Sequence, residues 1–306
     1  MKKVLVLLST YNGEKYLKQQ LDSLYNQSGV DIHILVRDDG SSDSTLEILE
    51  KYSKTKGEID IIKGRNLGAA KSFFELAHIA QVEFTPYDYY AFCDQDDVWI
   101  KDKLISAVNL LDTKSANKLY FCRANYVDCN TNYLGTAPDI KFFDYTTCVY
   151  RNPALGCTMV FDKKLLNNFC LAYSSLDKIH GLHDDWMFKC ALFTNAHVLA
   201  DNNIHIQYRQ HGNNVTLAKK NIFQRYKTAL KRKLTRKQDY KQDRILFRDI
   251  YSKQIEEKCK KEFLEYLITY DNSLRDTLRY LKIQKWKSES LLDRCIWNMM
   301  VLLRQF

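Results

Sequence analysis

The fold is decided by residues 89–99, where a short apolar run ends in a burst of carboxylates: Tyr89-Tyr90-Ala91-Phe92-Cys93-Asp94-Gln95-Asp96-Asp97-Val98-Trp99. A continuous apolar run of this length predicts a strand that is buried on both faces, as in a parallel sheet. The acids place a polar cluster at the carboxyl end of that strand. Because open α/β sheets bind their ligands at this edge, the stretch predicts a fold class and a candidate site together.

The same succession of apolar strand, polar end and amphipathic helix occurs on both sides of this stretch. Further strands are predicted at 4–8, 32–36, 59–62, 119–122, 125–128, 158–161, 198–199 and 204–208. Helices are predicted at 14–27, after residue 43, and at 69–80, 102–112, 162–170, 184–194 and from about 217 onward. This alternation predicts an α/β fold with a mostly parallel sheet flanked by helices. We divide the chain into an α/β domain, residues 1–216, and a basic helical C-terminal region, residues 217–306.

The composition is that of a folded protein and excludes several classes. Of 306 residues, 45% are hydrophobic, 13% aromatic and 27% charged, which argues against a disordered chain. The nine cysteines contain no CxxC pair, so we expect reduced thiols rather than a disulfide framework or a structural zinc site. The first apolar run stops at Ser9-Thr10, too early for a signal peptide, and no stretch reaches the ~18 apolar residues of a membrane span. We therefore expect a cytoplasmic protein.

One segment carries the whole charge imbalance of the chain. Residues 219–244 hold eleven Lys or Arg and two Asp, a net charge of +9 that equals that of the full sequence. Within it, Ile222, Tyr226, Leu230 and Leu234 fall on one helical face. A basic amphipathic helix of this kind suits peripheral attachment to an anionic membrane surface, here the inner face of the plasma membrane. The alternative is that the apolar face packs on the rest of the chain or on a second subunit of a homodimer.

The acids at 94–97 predict a metal site. Clustered carboxylates repel one another and usually need a cation, and hard oxygen ligands suit Mg²⁺ or Mn²⁺ holding a diphosphate. In the later segment 208–214, Arg209 suits bidentate pairing with a diphosphate, and a neutral His211 suits a place in the metal shell. A solvated acidic turn and a structural histidine are the ordinary alternatives.

Two other polar clusters point to a nucleotide. Asp38 and Asp39 end a predicted strand, and a carboxylate there can accept the imide N–H of uracil or thymine; the following Gly40 and the serines suit a tight turn and a helix cap. Asn66, within Arg65-Asn66-Leu67-Gly68, precedes a predicted helix and resembles a phosphate-facing helix N-terminus.

Acceptor-side residues are expected around 153–159 and 183–186. Asp184 and Asp185 begin a predicted helix, where an acid is favoured by the helix dipole or, alternatively, acts as a general base on an acceptor hydroxyl. Trp99 and Trp186 follow acidic clusters and suit stacking on a sugar ring, although core packing is their more ordinary role. Gly156 lies in a loop that we place on the acceptor side.

Together these motifs resemble those of the family 2 glycosyltransferases with the GT-A fold. The N-terminal signature comprises Ser9-Thr10-Tyr11-Asn12-Gly13, Leu24-Tyr25-Asn26-Gln27 and Arg37-Asp38-Asp39-Gly40-Ser41-Ser42-Asp43. Asp94-Gln95-Asp96-Asp97-Val98-Trp99 and Tyr208-Arg209-Gln210-His211-Gly212-Asn213-Asn214 look most like the bacterial rhamnosyltransferase branch. The resemblance covers about residues 1–216, and several motifs recur in register.

The resemblance implies an inverting transfer from a nucleotide diphosphate donor with Mn²⁺ or Mg²⁺. The nucleotide would be bound by Thr10, Tyr11, Asn12, Asp38, Asp39, Asn66, Asp94 and Arg209. The metal would be held by Asp94, Asp96 and His211. Asp185 stands at the position of the family's catalytic base, and Asp184 replaces the Glu beside it, which leaves open which of the two is the base.

The same resemblance points to dTDP-β-L-rhamnose as donor, with a UDP-hexose as the alternative, and to a lipid-linked or polysaccharide acceptor. A nucleotidyltransferase would carry a Gly-rich basic loop after the first strand, whereas this loop has Gly13 alone. A nucleic-acid-binding role for 219–244 would leave the acidic clusters unexplained, so we expect no nucleic acid partner. An inactive sugar-nucleotide binder remains the third alternative.

Overall fold

The structure is a computed structural model that describes residues 1–84, 86–211, 237–284 and 291–304. These residues form two compact units. The first contains the described residues of Met1–Ile140, Ala154–Tyr173 and Ala196–Ala218, and the second those of Lys141–Pro153, Ser174–Asn195 and Lys219–Phe306. Two segments before residue 216 thus pack with the C-terminal region, so the compact units differ from the division at 216/217. The basic segment 221–234 lies outside the described residues.

The first unit is built on a nine-stranded mixed sheet. Its strands are β1 Lys2–Thr10, β2 Val30–Asp38, β3 Ile59–Lys63, β4 Tyr89–Cys93, β5 Val98–Trp99, β6 Lys118–Val127, β7 Tyr133–Thr136, β8 Val160–Asp162 and β9 His197–Arg209. They follow the order β3-β2-β1-β4-β8-β6-β9-β5, and β7 pairs with β6. The β1–β2, β1–β4, β2–β3 and β6–β9 pairs are parallel, whereas β8, β5 and β7 run antiparallel to their partners.

Apolar runs and helical periodicity explain this unit. Val4–Leu8 of β1 is fully buried between two neighbouring strands, as a continuous apolar run requires. The helices are α1 Glu14–Tyr25, α2 Thr45–Lys56, α3 Ala69–Glu83, α4 Lys103–Leu111 and α5 Lys163–Cys170. In α1, Leu17, Leu21 and Leu24 recur at helical spacing and lie in the core. The predicted fold class, an α/β protein with strands and helices in this order, is confirmed.

The strand bounds differ from the prediction for the two longest strands of the second half of the sheet and for two very short ones. The segments 119–122 and 125–128 form the single strand β6, and 198–199 and 204–208 form the single strand β9. Irregular register between Cys122 and Ala124 accounts for the apparent break, since β9 advances there by extra residues. The two-residue β5 and the four-residue β7 are absent from the predicted strands, because neither is long enough to show the period of a strand in the sequence.

The second unit is helical. It contains α6 His183–Phe193, α7 Lys237–Tyr251, α8 Lys258–Thr269, α9 Leu274–Ile283 and α10 Leu291–Leu302. Aromatic side chains fill its core, with Phe193 packing on both Phe247 and Phe263. The predicted helical C-terminal extension is confirmed for the residues described. None of the described helices is long and apolar enough to cross a membrane.

Candidate active site

The parallel register brings three polar strand ends together in the first unit. Thr10 at the end of β1 pairs with Asp38 at the end of β2, and Leu8 pairs with Cys93 at the end of β4. The loops that begin at Thr10, Asp38 and Asp94 therefore lie side by side at one edge of the sheet. This is the edge at which α/β sheets bind their ligands.

Asp38 holds the turn that follows β2. Its carboxylate accepts hydrogen bonds from Thr10 Oγ1 at 2.9 Å, from the backbone N–H groups of Gly40 and Ser41 at 3.2 and 2.8 Å, and from Ser41 Oγ at 2.6 Å. Asp38 and Thr10 are both buried. Their polar atoms are thus bonded to each other and to the turn, which makes both residues supports of the loop.

Asp39 joins the end of β2 to the start of α3. Its carboxylate is buried, pairs with Arg37 and accepts the backbone N–H groups of Leu67 and Gly68, each at 2.8 Å. A carboxylate offers about four acceptor positions, and these three donors fill three of them. Asn66 is exposed beside it, with its side-chain oxygen accepting Gly68 N–H at 3.1 Å.

The loop after β1 presents Tyr11 to the same edge. The Tyr11 side chain is 47% exposed, which leaves its ring accessible to a flat partner. Asn12 has a left-handed backbone with φ of 45°, and its side-chain oxygen accepts Ser42 N–H at 2.9 Å. The Asn12 N–H in turn donates to Ser41 Oγ at 2.9 Å, so this loop is fastened to the one after β2.

The acidic loop after β4 has the donor set of a metal site. His211 Nε2 lies 2.7 Å from Asp96 Oδ2, so the imidazole and the carboxylate are close enough to ligate the same cation. Ligand atoms of Asp94, Asp97 and Cys157 lie within 4.8 Å of one another. Burial, and then the Asp96 and Asp94 carboxylates, raise the pKa of Asp97 well above its ordinary value. A divalent cation relieves this kind of repulsion, so the residues fit Mg²⁺ or Mn²⁺.

Arg209 is placed differently from the prediction. Its guanidinium is 1% exposed and donates to the Asp96 carbonyl at 2.7 Å, the Cys129 carbonyl at 2.7 Å and Gln19 Oε1 at 2.5 Å. The Tyr16 ring covers it, with the guanidinium carbon 4.5 Å from the ring centroid. These bonds argue against bidentate pairing with a diphosphate. Arg209 instead holds the acidic loop against α1.

Sequence reasoning missed the residues that surround Arg209. Tyr16 stacks on His211 at 5.5 Å between ring centroids as well as covering Arg209, and Gln19 accepts from the guanidinium. The spacing of three residues puts Tyr16 and Gln19 on one side of α1. This spacing is visible in the sequence, but the sequence does not show which residues this side of α1 contacts.

The two tryptophans assigned to the sugar are core residues. Trp99 is buried, and Lys103 Nζ lies 3.1 Å from the centroid of its ring. Trp186 is buried in the second unit against Phe247 and Tyr251. Both rings therefore pack in the core, which is the ordinary alternative for them, and their stacking on a sugar stays a prediction. Gly156 is also buried; it begins a short 3-10 turn that carries Cys157 toward Asp97.

The candidate base lies in the second unit, at the start of α6. Asp184 and Asp185 occupy its first turn, and Asp184 Oδ1 accepts the Asp185 N–H at 2.7 Å. One turn later, Lys189 Nζ donates to Asp185 Oδ2 at 2.5 Å. Burial disfavours the Lys189 ammonium, but Asp185 outweighs burial and raises the pKa of Lys189. Asp185 thus has one oxygen fixed by a lysine that the sequence reasoning had not singled out.

Residues 5–164 match the model of glycosyl transferase family 2. The chain belongs to this family. It is therefore a glycosyltransferase, and the resemblance found in the motifs is confirmed. It is 34% identical over 228 residues to the dTDP-rhamnosyl transferase RfbG of Shigella flexneri, a match that covers 72% of this chain and 77% of that protein. It is 26% identical over 172 residues to the UDP-Glc:alpha-D-GlcNAc-diphosphoundecaprenol beta-1,3-glucosyltransferase WfgD of Escherichia coli, covering 56% of this chain and 64% of that one.

Solved structures show the fold of this family 2 glycosyltransferase. The chain is similar to S. aureus TarS 1–349 in complex with UDP, with a TM-score of 0.59 and 18% identity, covering 100% of this chain and 81% of that one. It is similar to the mannosyltransferase PcManGT from Pyrobaculum calidifontis in complex with GDP-Man and Mn²⁺, with a TM-score of 0.53 and 14% identity, covering 99% and 80%. The predicted GT-A fold is confirmed.

Proposed function

We propose that this glycosyltransferase moves L-rhamnose from dTDP-β-L-rhamnose to an acceptor hydroxyl, with inversion, during synthesis of a cell-surface polysaccharide. The observation that carries the proposal is the pairing of Asp96 with His211 beside Asp94, at the edge where Tyr11 and Asp39 also lie. Together these groups offer a site for a cation and a site for a pyrimidine base on neighbouring loops. The 34% identity to a dTDP-rhamnosyl transferase supports this donor. A UDP-hexose is the alternative, supported by the resemblance to WfgD.

In this proposal, different groups bind the pyrimidine base and the diphosphate of the donor. Tyr11 stacks on the pyrimidine through its exposed ring, and Asp39 accepts the imide N–H at its remaining acceptor position. Asp96, His211 and Asp94 would hold Mn²⁺ or Mg²⁺, which supplies positive charge for the departing diphosphate. Arg209 acts indirectly, since it fixes the backbone of the acidic loop through the Asp96 carbonyl.

The proton acceptor in this proposal is a carboxylate at the start of α6. Asp185 takes the proton of the acceptor hydroxyl as that oxygen attacks the anomeric carbon, and Asp184 is the rival for this role. Lys189 holds Asp185 Oδ2, so Oδ1 is the oxygen left for the acceptor. General-base help of this kind is typically worth ~10²–10⁴-fold in rate.

Attachment to the inner face of the plasma membrane is part of the proposal, and α9 supports it. Leu274 and Leu278 are 61% and 47% exposed, one turn apart. Arg275, Arg279 and Lys282 are also exposed, and their spacing places them beside these leucines. Exposed leucines flanked by cations suit an anionic bilayer surface, where each basic residue contributes about 1 kcal/mol.

A donor panel tests the transferase proposal. Thermal unfolding is followed with dTDP, UDP or GDP and Mn²⁺, because a ligand of the folded state raises Tm by mass action. We expect the largest shift with dTDP and turnover with dTDP-rhamnose. Turnover with UDP-glucose or UDP-galactose and none with dTDP-rhamnose would show that the donor is a UDP-hexose instead. No stabilisation by any of the three would contradict the nucleotide site itself.

Vesicle sedimentation tests the attachment. The protein should pellet with phosphatidylglycerol vesicles, remain in solution with phosphatidylcholine vesicles, and be released as salt rises. Leu274→Ser with Leu278→Ser should weaken pelleting roughly tenfold, whereas the control Leu171→Ser, an exposed leucine of the first unit, should leave it unchanged. Equal pelleting of both variants would remove α9 from the proposal, and dimerisation through α9 instead would identify a subunit interface.

A further inference from the structure

The residue between the two acids of Asp94-Gln95-Asp96 makes a pair of contacts that the proposed function leaves unused. The Tyr11 N–H donates to Gln95 Oε1 at 2.8 Å, and Gln95 Nε2 donates to the Tyr11 carbonyl at 3.0 Å. One side-chain amide thus satisfies both backbone groups of one residue, as a neighbouring strand would. A change of Tyr11 position has to break both bonds or move Gln95 with it.

The chain around Tyr11 is shaped for this contact. A Cβ added at Gly13 would lie 2.2 Å from Gln95 Oε1 and 2.6 Å from its Cδ, so the amide fits only because residue 13 is glycine. Asn12, between Tyr11 and Gly13, takes a left-handed backbone that few side chains adopt without strain. On the other side, Asn12 is fastened to Ser41 and Ser42. The Tyr11 backbone is therefore held from both sides while its ring stays exposed.

We infer that Gln95 is a positioning residue that couples metal binding to base binding, an inference that rests on the proposed function. Gln95 lies between Asp94 and Asp96, so a cation that orders these acids also orders the Gln95 side chain. Through its two hydrogen bonds Gln95 then fixes Tyr11, whose ring receives the pyrimidine. The cation and the nucleoside strengthen each other's binding without touching, and the coupling is reciprocal.

The specific chemistry of glutamine is required. Glutamate keeps an acceptor for the Tyr11 N–H, loses the donor to the Tyr11 carbonyl and adds a fourth carboxyl group to the loop. Asparagine is shorter by one methylene group. Methionine has nearly the same length and offers neither bond. The series therefore separates loss of one hydrogen bond from loss of both.

The experiment measures binding of thymidine and uridine, which carry no phosphate, with and without Mg²⁺ by calorimetry on the full chain. In the unmodified protein Mg²⁺ should tighten nucleoside binding about fivefold, within the usual range of coupling between sites. Gln95→Met should abolish this effect, and Gln95→Glu should reduce it. The donor KM should rise roughly tenfold in Gln95→Met, as expected for two lost hydrogen bonds, with a much smaller change in kcat.

Gln27 provides a matched control. Its amide also bonds to backbone, donating to the Ile100 carbonyl at 2.9 Å and accepting the Leu104 N–H at 3.1 Å. Gln27→Met should lower stability as Gln95→Met does, but should retain the coupling and the donor KM. Loss of coupling in both variants would show a general effect of stability and overturn the inference.

Two further outcomes separate this inference from the proposed function. If the unmodified protein binds nucleoside diphosphates but Mg²⁺ leaves nucleoside affinity unchanged, or if Gln95→Met retains the coupling, the inference is overturned and the transferase proposal stands. If the unmodified protein binds neither dTDP nor UDP with the cation, the proposed function fails, and the positioning role fails with it.

Discussion

Replacement of Arg209 by methionine separates two roles for this residue. Methionine keeps much of the length of the arginine stem but removes its donors. The Asp96 carbonyl, the Cys129 carbonyl and Gln19 Oε1 then lose donors at 2.5–2.7 Å, and Tyr16 loses the cation over its ring. If Arg209 supports the acidic loop, as its burial indicates, the change destabilises the first unit. If it bound a diphosphate, the change would alter ligand affinity alone.

The size of the loss follows from these contacts. A hydrogen bond from a charged donor contributes about 1.5–3 kcal/mol, so the three short bonds together exceed ~4 kcal/mol. Removal of the buried charge also removes its desolvation cost, which offsets part of that sum. We therefore expect Arg209→Met to lower the free energy of unfolding by about 3–5 kcal/mol, a large share of the ~5–15 kcal/mol of a typical domain.

Urea unfolding followed by circular dichroism measures this loss, and calorimetry measures Mn²⁺ and dTDP binding under native conditions. Arg123 is the matched control, because it donates to the carbonyls of Ala137 and Asn202 but its side chain is 18% exposed. Arg123→Met should cost only about 1–2 kcal/mol. An Arg209→Met variant as stable as the unmodified protein, with only diphosphate affinity reduced, would refute the reasoning and return Arg209 to the ligand.

Three other changes test the site and the second unit. Asp96→Ala should abolish transfer and Mn²⁺-dependent nucleotide binding, because the cation loses its central carboxylate; normal binding and turnover would contradict the metal assignment. Asp185→Asn should leave donor binding nearly intact and lower kcat by ~10² or more, as expected for loss of a general base; a larger loss in Asp184→Asn would transfer the role to Asp184. Burial lowers the pKa of His183 to about 3 from an ordinary 6.5, so below pH 6.5 the unfolded chain binds a proton that the folded chain does not. Stability should therefore decrease by about 1.6 kcal/mol through this group as the pH is lowered from 6.5 to 5, and urea unfolding of His183→Gln should lack that share of the pH dependence.

Much of the fold could be read from local patterns. The apolar run of β4 and its acidic end predicted both a buried strand and a polar edge, and the leucines of α1 predicted a helix with one buried side. These features depend on side-chain period and on residues close in sequence, which a single chain displays directly. The parallel pairing of β1 with β2 and β4 brings the loops after these strands to one edge, because parallel strands end on the same side.

Side-chain partners were harder to predict because they depend on contacts distant in sequence. Trp99 follows the acids at the position expected of a sugar-stacking ring, yet it lies in the core with Lys103 against its face. The strands β6 and β9 each looked like two short strands, since a register shift between neighbours interrupts the apolar period. Neither feature has a local signal.

The sequence by itself determined the α/β order, the acidic loop after β4, the paired acids after β2 and the family to which the chain belongs. Only the tertiary structure decided what each polar group does with its hydrogen bonds. Arg209 is 190 residues from Gln19 and 113 from Asp96, yet bonds to both. A guanidinium that folding encloses in this way must satisfy its donors within the protein, because burial without partners costs several kcal/mol. In the structure the Asp96 carbonyl, the Cys129 carbonyl and Gln19 meet that requirement, so Arg209 supports the acidic loop.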